Sequence, residues 1–282
     1  MIPMSENYQL RDGLEVPKVG FGSYKLVGAK GVNALTSALN VGYRLIDTAF
    51  NYQNEGTVAE ALRRTKIPRE DIIVSSKLPG KHHRYDEAIQ TIEESLYRTG
   101  LDYFDLYLIH WPNPQTNLYV EAWQALIAAQ KFGLVRSIGV SNFLPEHIDR
   151  LQKETGVLPV INQIELHPYF NQKTQRDYDQ QHTILTQAWS PLGRASSNNV
   201  MNDPVIRALA KKYHREAGQI ILRWQTQLGV MPIPKSTHAF RQKENLAIFD
   251  FTLTDEDMAK INAMSRPDGR IKNQDPAVYE EF

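Results

Sequence analysis

The 282-residue chain contains no cysteine, which excludes disulfides, thiolate metal sites and a cysteine nucleophile together and fits a reducing compartment. It has no excess of charge of either sign. Lys+Arg and Asp+Glu both number 32, so no global field draws the chain to nucleic acid or an anionic membrane, and an anionic ligand must be met by local side chains. No stretch approaches the roughly 18 consecutive apolar residues of a membrane span. Met1-Ile2-Pro3-Met4-Ser5-Glu6-Asn7 lacks the charged-then-apolar pattern of a secretory leader. Low-complexity segments and sequence repeats do not stand out. The expectation is a soluble cytoplasmic protein with a small-molecule ligand, no nucleic-acid or membrane partner, and a monomer as the default form. One domain spanning residues 1–282 is the expectation at this length.

What is present is alternation. Tyr8-Gln9-Leu10 and Leu14-Glu15-Val16 flank Asp12-Gly13, a dipeptide suited to a tight hairpin turn that would plug one end of a barrel. Val19-Gly20-Phe21-Gly22 reads as a first barrel strand, followed by a helix over 31–41 with Val32, Leu35 and Leu39 on one face and Gly42 as its stop. Further units pair Arg44–Asp47 with a helix over 55–64, Ile72–Lys77 with 85–98, and Phe104–Ile109 with 118–131. Strands follow at 135–140, 160–165 and 184–189, then helices over 204–214 and 216–228. Val230-Met231-Pro232-Ile233-Pro234 supplies a short eighth strand twice interrupted by proline, and helices over 239–248 and 255–264 close the pattern, the last capped by Thr254. Repeated βα units with right-handed crossovers predict an α/β fold, a (β/α)8 TIM barrel with an N-terminal β-hairpin cap and additional helices.

Asp47, Lys77 and His110 each end a strand pattern, about one strand and one crossover helix apart, and Tyr52 follows Asp47 in the next loop. The C-terminal ends of barrel strands are where such folds keep their chemistry. A tyrosine holds its proton at neutral pH, and an ammonium beside it stabilises the phenolate and lowers its pKa. Lys77 is the candidate ammonium, Asp47 would hold it, and His110 would donate to the same substrate oxygen. Each residue alone has a structural reading: Asp47 as a helix cap, Asp47 and Lys77 as a structural pair, His110 as a satisfied core histidine. Four at coordinated positions favour a proton-transfer site.

Asp47-Thr-Ala-Phe-Asn-Tyr52-Gln-Asn-Glu55, Lys77-Leu78, Leu108-Ile109-His110-Trp111-Pro112, Gly139-Val140-Ser141-Asn142-Phe143, Asn162-Gln163-Ile164-Glu165 and Ile233-Pro234-Lys235-Ser236 resemble the aldo-keto reductases, in the family's order. Gly100-Leu101-Asp102-Tyr103, the stretch 162–168 and the compact C-terminal region look most like the bacterial diketogluconate reductase branch. The resemblance implies NADPH-dependent reduction of an aldehyde or ketone, without metal, on substrates such as diketogluconate, methylglyoxal-like dicarbonyls or other small carbonyls. It implies Tyr52 as general acid, Lys77 as its partner, Asp47 as the holder of Lys77 and His110 as the group that orients the carbonyl. Ser141, Asn142 and Gln163 match contacts to the nicotinamide amide, Trp189 an aromatic stacked on its ring, and Ser190, Leu192 and Gly193 the loop over the pyrophosphate. Lys235, Ser236 and Arg241 match contacts to the adenosine 2′-phosphate, and Glu244 and Asn245 the adenine edge. Tyr24, Phe50 and Trp111 match the aromatic substrate mouth. His238 departs from the threonine or arginine often found in relatives, which leaves the degree of preference for NADPH open.

Gly20-Phe21-Gly22-Ser23-Tyr24-Lys25 lacks the third glycine of a Rossmann fingerprint, so the dinucleotide reading does not rest on that motif. Two other functions fit parts of the pattern: a regulatory NADPH-binding subunit on the same barrel, and a metal-free hydrolase, which would need paired carboxylates across the mouth. The loop 194–200 and the tail beyond Arg266 are expected to shape the pocket. Glu165-Leu166-His167 reads as structural and His82-His83 as solvent-facing.

Overall fold

Strands and helices alternate along the computed structural model, which describes residues 7–194 and 199–282. An antiparallel hairpin comes first, β1 (Asn7–Gln9) and β2 (Glu15–Pro17), with Tyr8 opposite Val16. Gly13 in its turn takes φ of 94°, a conformation open to glycine. The barrel follows as β3 (Phe21–Gly22), α1 (Gly28–Val41), β4 (Leu45–Asp47), α2 (Glu55–Arg64), β5 (Ile73–Leu78), α3 (Tyr85–Thr99), β6 (Phe104–Ile109), α4 (Tyr119–Lys131), β7 (Val135–Ser141) and α5 (Pro145–Thr155). Then come β8 (Ile161–Glu165), α6 (Lys173–Gln181), β9 (Leu185–Trp189), α7 (Pro204–Tyr213), α8 (Ala217–Gln227), β10 (Met231–Pro232), α9 (Ala239–Leu246) and α10 (Asp255–Asn262).

The strands β3 to β10 pair in parallel, in sequence order. The two edges of the sheet meet through Gly20 N–H to Pro232 O at 3.0 Å and Gly22 N–H to Pro234 O at 3.1 Å. These bonds run one way because Pro232 and Pro234 have no N–H to return. The same prolines shorten the eighth strand to Met231–Pro232, so the barrel closes on a sparse seam and the (β/α)8 expectation is met.

Period-two alternation sorts side chains to the two faces of the sheet. Leu45, Leu106, Leu108, Ile161, Met231 and Ile233 fill the barrel interior together with Leu10 and Val16 of the hairpin segment. The hairpin is therefore the plug expected from Asp12-Gly13; Ser137 Oγ also donates to Asp12 Oδ2 at 2.6 Å. Ile46, Val74, Tyr107, Ile109 and Val140 point outward to pack under the helices.

The expected pattern holds no helix at α5 or α6. The helix α6 buries only Gln175 and Asp179, so it has no apolar stripe to read. Its inward face is polar: Asp179 accepts from Gln175 Nε2 and Thr186 Oγ1, each at 2.9 Å.

Gly139 lies where two strands crowd the interior. A Cβ there would stand 2.6 Å from Leu108 Cδ2 and 2.8 Å from Ile161 O, and the backbone oxygen cannot turn aside. Gly139→Ala should cost about 1–3 kcal/mol by overpacking. A urea midpoint equal to that of the wild type would show that this contact relaxes freely.

Candidate active site

At the C-terminal end of β4 and β5 the alternation that puts Leu45 inside also puts Asp47 and Lys77 inside. Lys77 is 0% exposed and Asp47 1%. Lys77 Nζ donates to Asp47 Oδ1 at 2.8 Å, Asp47 Oδ2 at 2.7 Å and Thr48 O at 2.7 Å. Those bonds use all three ammonium hydrogens. Gln163 Nε2 donates to Asp47 Oδ1 at 2.8 Å and Gln187 Oε1 at 2.6 Å, completing a polar layer above the apolar filling. Burial pulls the Lys77 pKa down, opposed by Asp47. Gln187 was not singled out from sequence, although its place two residues before Trp189 in a strand gives both the same face.

Tyr52 sits in the short turn Phe50–Tyr52 after β4. Asn54 fixes that loop: it accepts from Thr48 Oγ1 at 2.7 Å and donates to Ser23 O at 2.8 Å and Leu26 O at 3.0 Å. The Tyr52 ring centre stands 5.7 Å from that of His110 and 5.0 Å from that of Tyr24. Lys77 Nζ lies 5.0 Å from it. The four residues singled out by sequence are thus together, with one correction. Removal from water pushes the Tyr52 pKa well above its ordinary value, with Asp47 and Glu281 pushing the same way and Arg194 opposing. The Lys77 charge does not outweigh that burial, and its hydrogens are held by Asp47 and Thr48.

The residues matched to a nicotinamide are bonded to one another. Ser141 Oγ donates to Gln163 O at 2.8 Å, Asn142 Nδ2 donates to Ser141 Oγ and to His110 O, each at 3.0 Å, and Trp189 Nε1 donates to Asn142 Oδ1 at 2.8 Å. Asn142 and Ser190 take positive φ of 62° and 48°, so strand ends turn sharply there. Gly193 N–H closes a turn on Ser190 O at 2.9 Å. Arg194 stands 6.0 Å from the rings of both Tyr24 and Trp189. Residues 195–198 of the following loop lie outside the described residues.

The residues matched to the adenosine end gather around α9. Lys235 and Arg241 are exposed, while Ser236 and Asn245 are buried and Glu244 is partly so. Ser236 Oγ accepts from His238 N–H at 3.1 Å. No side chain caps the first turn of α9, which holds no acidic residue; its N–H groups and the neighbouring cations form an anion-seeking donor set. Gln242, missed from sequence, anchors α9 by donating to Ala34 O at 2.9 Å and Ser236 O at 2.8 Å. Leu192 Cδ atoms would stand 3.8 Å from a Cβ on Gly218, and Asn245 Oδ1 3.7 Å, so the loop after β9 and the helix α9 approach each other across α8.

The three aromatic residues matched to the substrate mouth differ in their surroundings. Tyr24 is 41% exposed beside Tyr52. Phe50 turns to His82, ring centres 5.5 Å apart, with Arg98 at 4.1 Å. Trp111 is covered by Tyr279 of the C-terminal tail at 4.4 Å. That tail also brings Glu281 Oε1 to 2.8 Å from His110 Nδ1. The chain's end has no periodicity or motif, so sequence gave no sign of this contact. His83 overturns the solvent-facing reading: it is 1% exposed, and burial lowers its pKa to about 4. Glu165 and His167 form a pair at 2.9 Å, and no third carboxylate or histidine joins them in a metal-holding group among the described residues.

The buried Asp47–Lys77 pair generates a stability prediction. Lys77→Met should destabilise the protein by about 3–5 kcal/mol, because it leaves an uncompensated buried carboxylate. Asp47→Asn combined with Lys77→Met should recover part of that loss in denaturant titrations. If the double variant is no more stable than Lys77→Met, the penalty comes from packing and not from the orphaned charge.

The pattern of the aldo/keto reductase family matches residues 18–266. The chain is 44% identical to the 2,5-diketo-D-gluconic acid reductase B of Corynebacterium sp., over 100% of both chains. It is 42% identical to a methylglyoxal reductase of Salmonella typhimurium, over 96% of this chain and 97% of that one. Among solved structures, the aldo-keto reductase of Bombyx mori in complex with NADP superposes with a TM-score of 0.90 at 35% identity, covering 99% of each chain. No helix among the described residues is long and apolar enough to cross a membrane. A family pattern over most of the length, full-length relatives and a closed parallel barrel with Tyr52 and His110 at its C-terminal end agree: the chain is an oxidoreductase belonging to the aldo/keto reductase family.

Proposed function

We propose that this enzyme reduces the carbonyl group of small aldehydes or ketones with NADPH, with Tyr52 as the proton donor. The observation that carries the reading is the grouping of Tyr52, His110, Asp47 and Lys77 at one barrel mouth, the first two with ring centres 5.7 Å apart. Bound NADPH supplies a hydride to the carbonyl carbon. The oxygen then gathers negative charge and takes a proton from Tyr52, whose raised pKa keeps it protonated at neutral pH. His110 donates to the same oxygen and fixes its direction. Lys77 supports the phenolate left behind by its charge across space, since its hydrogens are held by Asp47 and Thr48.

For the cofactor, Gln163 offers its Oε1 to an amide N–H because its own N–H groups are engaged. Ser141 and Asn142 hold Trp189 so that the indole, partly exposed, presents a face to a ring. Ser190, Leu192 and Gly193 cover the pyrophosphate. Lys235, Ser236 and Arg241 take the 2′-phosphate at the start of α9, and Glu244 and Asn245 meet the adenine edge. Tyr24, Phe50 and Trp111 border the substrate. Dicarbonyls of the diketogluconate and methylglyoxal type are the proposed substrate class, supported by the reductases of those names among the relatives.

Tyr52→Phe removes the donor and keeps the ring. NADPH-dependent reduction should fall by about 10²–10⁴-fold with cofactor affinity retained; near-wild-type turnover would remove Tyr52 from the mechanism. Lys235→Gly tests the phosphate reading, since losing one charge-assisted bond costs roughly 1.5–3 kcal/mol, or one to two orders of magnitude in affinity. NADPH binding should weaken by that amount and NADH binding much less, measured at fixed ionic strength because exposed contacts are screened. Equal losses for both cofactors would withdraw the 2′-phosphate assignment.

A further inference from the structure

The charges at the barrel mouth are unevenly placed. Asp47 and Lys77 are joined in one buried pair. On the side of β5 and β6 the C-terminal tail brings a carboxylate: Glu281 is buried, and its Oε2 accepts from Gly80 N–H at 3.0 Å. The loops after β3 and β9 bring two cations to the other side. In the closed barrel only β10 separates those two strands, so their loops stand across the mouth from Gly80 and Glu281. Arg194 lies 6.0 Å from the rings of both Tyr24 and Trp189, and Lys25 Nζ lies 5.4 Å from that of Tyr24. Residues 20–30 and 190–202 contain no aspartate or glutamate. The charge of Arg194 also reaches Tyr52, where it opposes the rise in the phenol pKa. With the Tyr24 and Tyr52 ring centres 5.0 Å apart, the guanidinium and the phenol flank the same aromatic ring.

We propose that Arg194 is a specificity residue that binds a carboxylate on the substrate, so that the preferred substrates are aldehyde or keto acids whose acid group lies several carbons from the carbonyl. The inference rests on the reading of Tyr52 and His110 as the groups that meet the carbonyl oxygen. With the oxygen held there, a substrate can extend toward the tail or toward the loops after β3 and β9. On the first path its carboxylate meets the like charge of Glu281, in a place with little water to screen it. On the second it meets a guanidinium, whose planar fork matches both carboxylate oxygens. Arg194 is partly buried and Lys25 is exposed, so Arg194 supplies the directed bond and Lys25 an attraction through solvent. Because the Tyr24 ring stands between phenol and guanidinium, an acid group directly on the carbonyl carbon falls short of Arg194.

The cofactor pyrophosphate is the competing anion, since Ser190, Leu192 and Gly193 just before Arg194 are matched to it. The side chain points elsewhere: it stands beside Trp189, matched to the nicotinamide ring, and Tyr24, matched to the substrate mouth. Neither of the other cations near the reacting centre can take the carboxylate. Lys77 has its hydrogens on Asp47 and Thr48, and His110 lies beside Glu281.

Two aldehydes of one shape that differ in charge test the inference: para-formylbenzoate and its methyl ester, in which a benzene ring separates the aldehyde from the carboxyl carbon. The wild type should favour the acid in kcat/KM by about ten- to hundredfold, the worth of one charge-assisted bond, with the difference lying in KM. Added salt should shrink that ratio, because the contact is partly exposed. Arg194→Met keeps an apolar stem without the charge, and the acid-to-ester ratio should fall by the same factor while NADPH affinity, titrated by protein fluorescence, is retained. Arg194→Lys should restore part of the ratio by returning the charge without the fork. A wild type that treats acid and ester alike would overturn the proposal, and so would a ratio unchanged in Arg194→Met. Weakened NADPH binding with the ratio intact would assign Arg194 to the pyrophosphate and overturn it as well. The wild-type comparison and its salt dependence need no variant, so the proposal stays refutable even where Arg194→Met does not fold. A wild type that reduces neither aldehyde with NADPH would instead sink the reductase reading, and the proposal with it.

Discussion

The ion pair of Lys77 and Asp47 is the interaction on which the barrel's functional end depends. Both groups are taken from water, and their attraction offsets that cost only because nearly every polar atom is matched: three acceptors for three ammonium hydrogens, and a Gln163 amide on the carboxylate. The arrangement is rigid for the same reason. The pair links β4 to β5, and Gln163 and Gln187 carry the network to β8 and β9, so strands far apart in sequence are held in one polar layer above an apolar filling. Tyr52 and His110 stand over that layer. Their environment is therefore set by the barrel's closure and not by the loops alone.

The same rigidity changes how the lysine acts on the tyrosine. From sequence, an ammonium near a phenol suggests a phenol with lowered pKa. The Lys77 hydrogens are bonded to Asp47 and Thr48, and at the phenol removal from water dominates, with the Asp47 carboxylate pushing the same way. The raised pKa keeps the phenol protonated at neutral pH, which suits the donor role proposed for it. In the proposed reaction the lysine's charge, with Nζ 5.0 Å from the ring centre, would favour the phenolate that proton transfer leaves.

The parts of the fold legible in the sequence were those governed by local periodicity. Asp47, Lys77 and His110 close apolar strand patterns, and strand alternation carries their side chains inward. The helix α6 was illegible because its buried face is Gln175 and Asp179, satisfied by neighbours that no local pattern announces. His82-His83 reads as solvent-facing, yet the short turn Gly80–His82 carries His83 inward. Glu281 was invisible for a different reason. Its contact with His110 depends on the whole path of a tail without helix or strand periodicity, pinned at Glu165, Trp111 and Asn113.

Two electrostatic regimes coexist in this chain of zero net charge. Around α9, Lys235 and Arg241 are exposed and face water with no carboxylate in the helix's first turn. Their field extends through solvent, over a distance that salt shortens to about 8 Å at physiological ionic strength. At the barrel mouth, Asp47, Lys77, His110 and Glu281 are largely removed from water, each carboxylate beside a cation or an ionisable ring. Salt screens such contacts little, and their directions are fixed by hydrogen bonds instead of by long-range attraction. The proposed capture of an anion and the proposed orientation of a proton donor thus fall to two kinds of cation in one chain. Cations left in water attract at a distance, and cations buried against carboxylates hold a geometry.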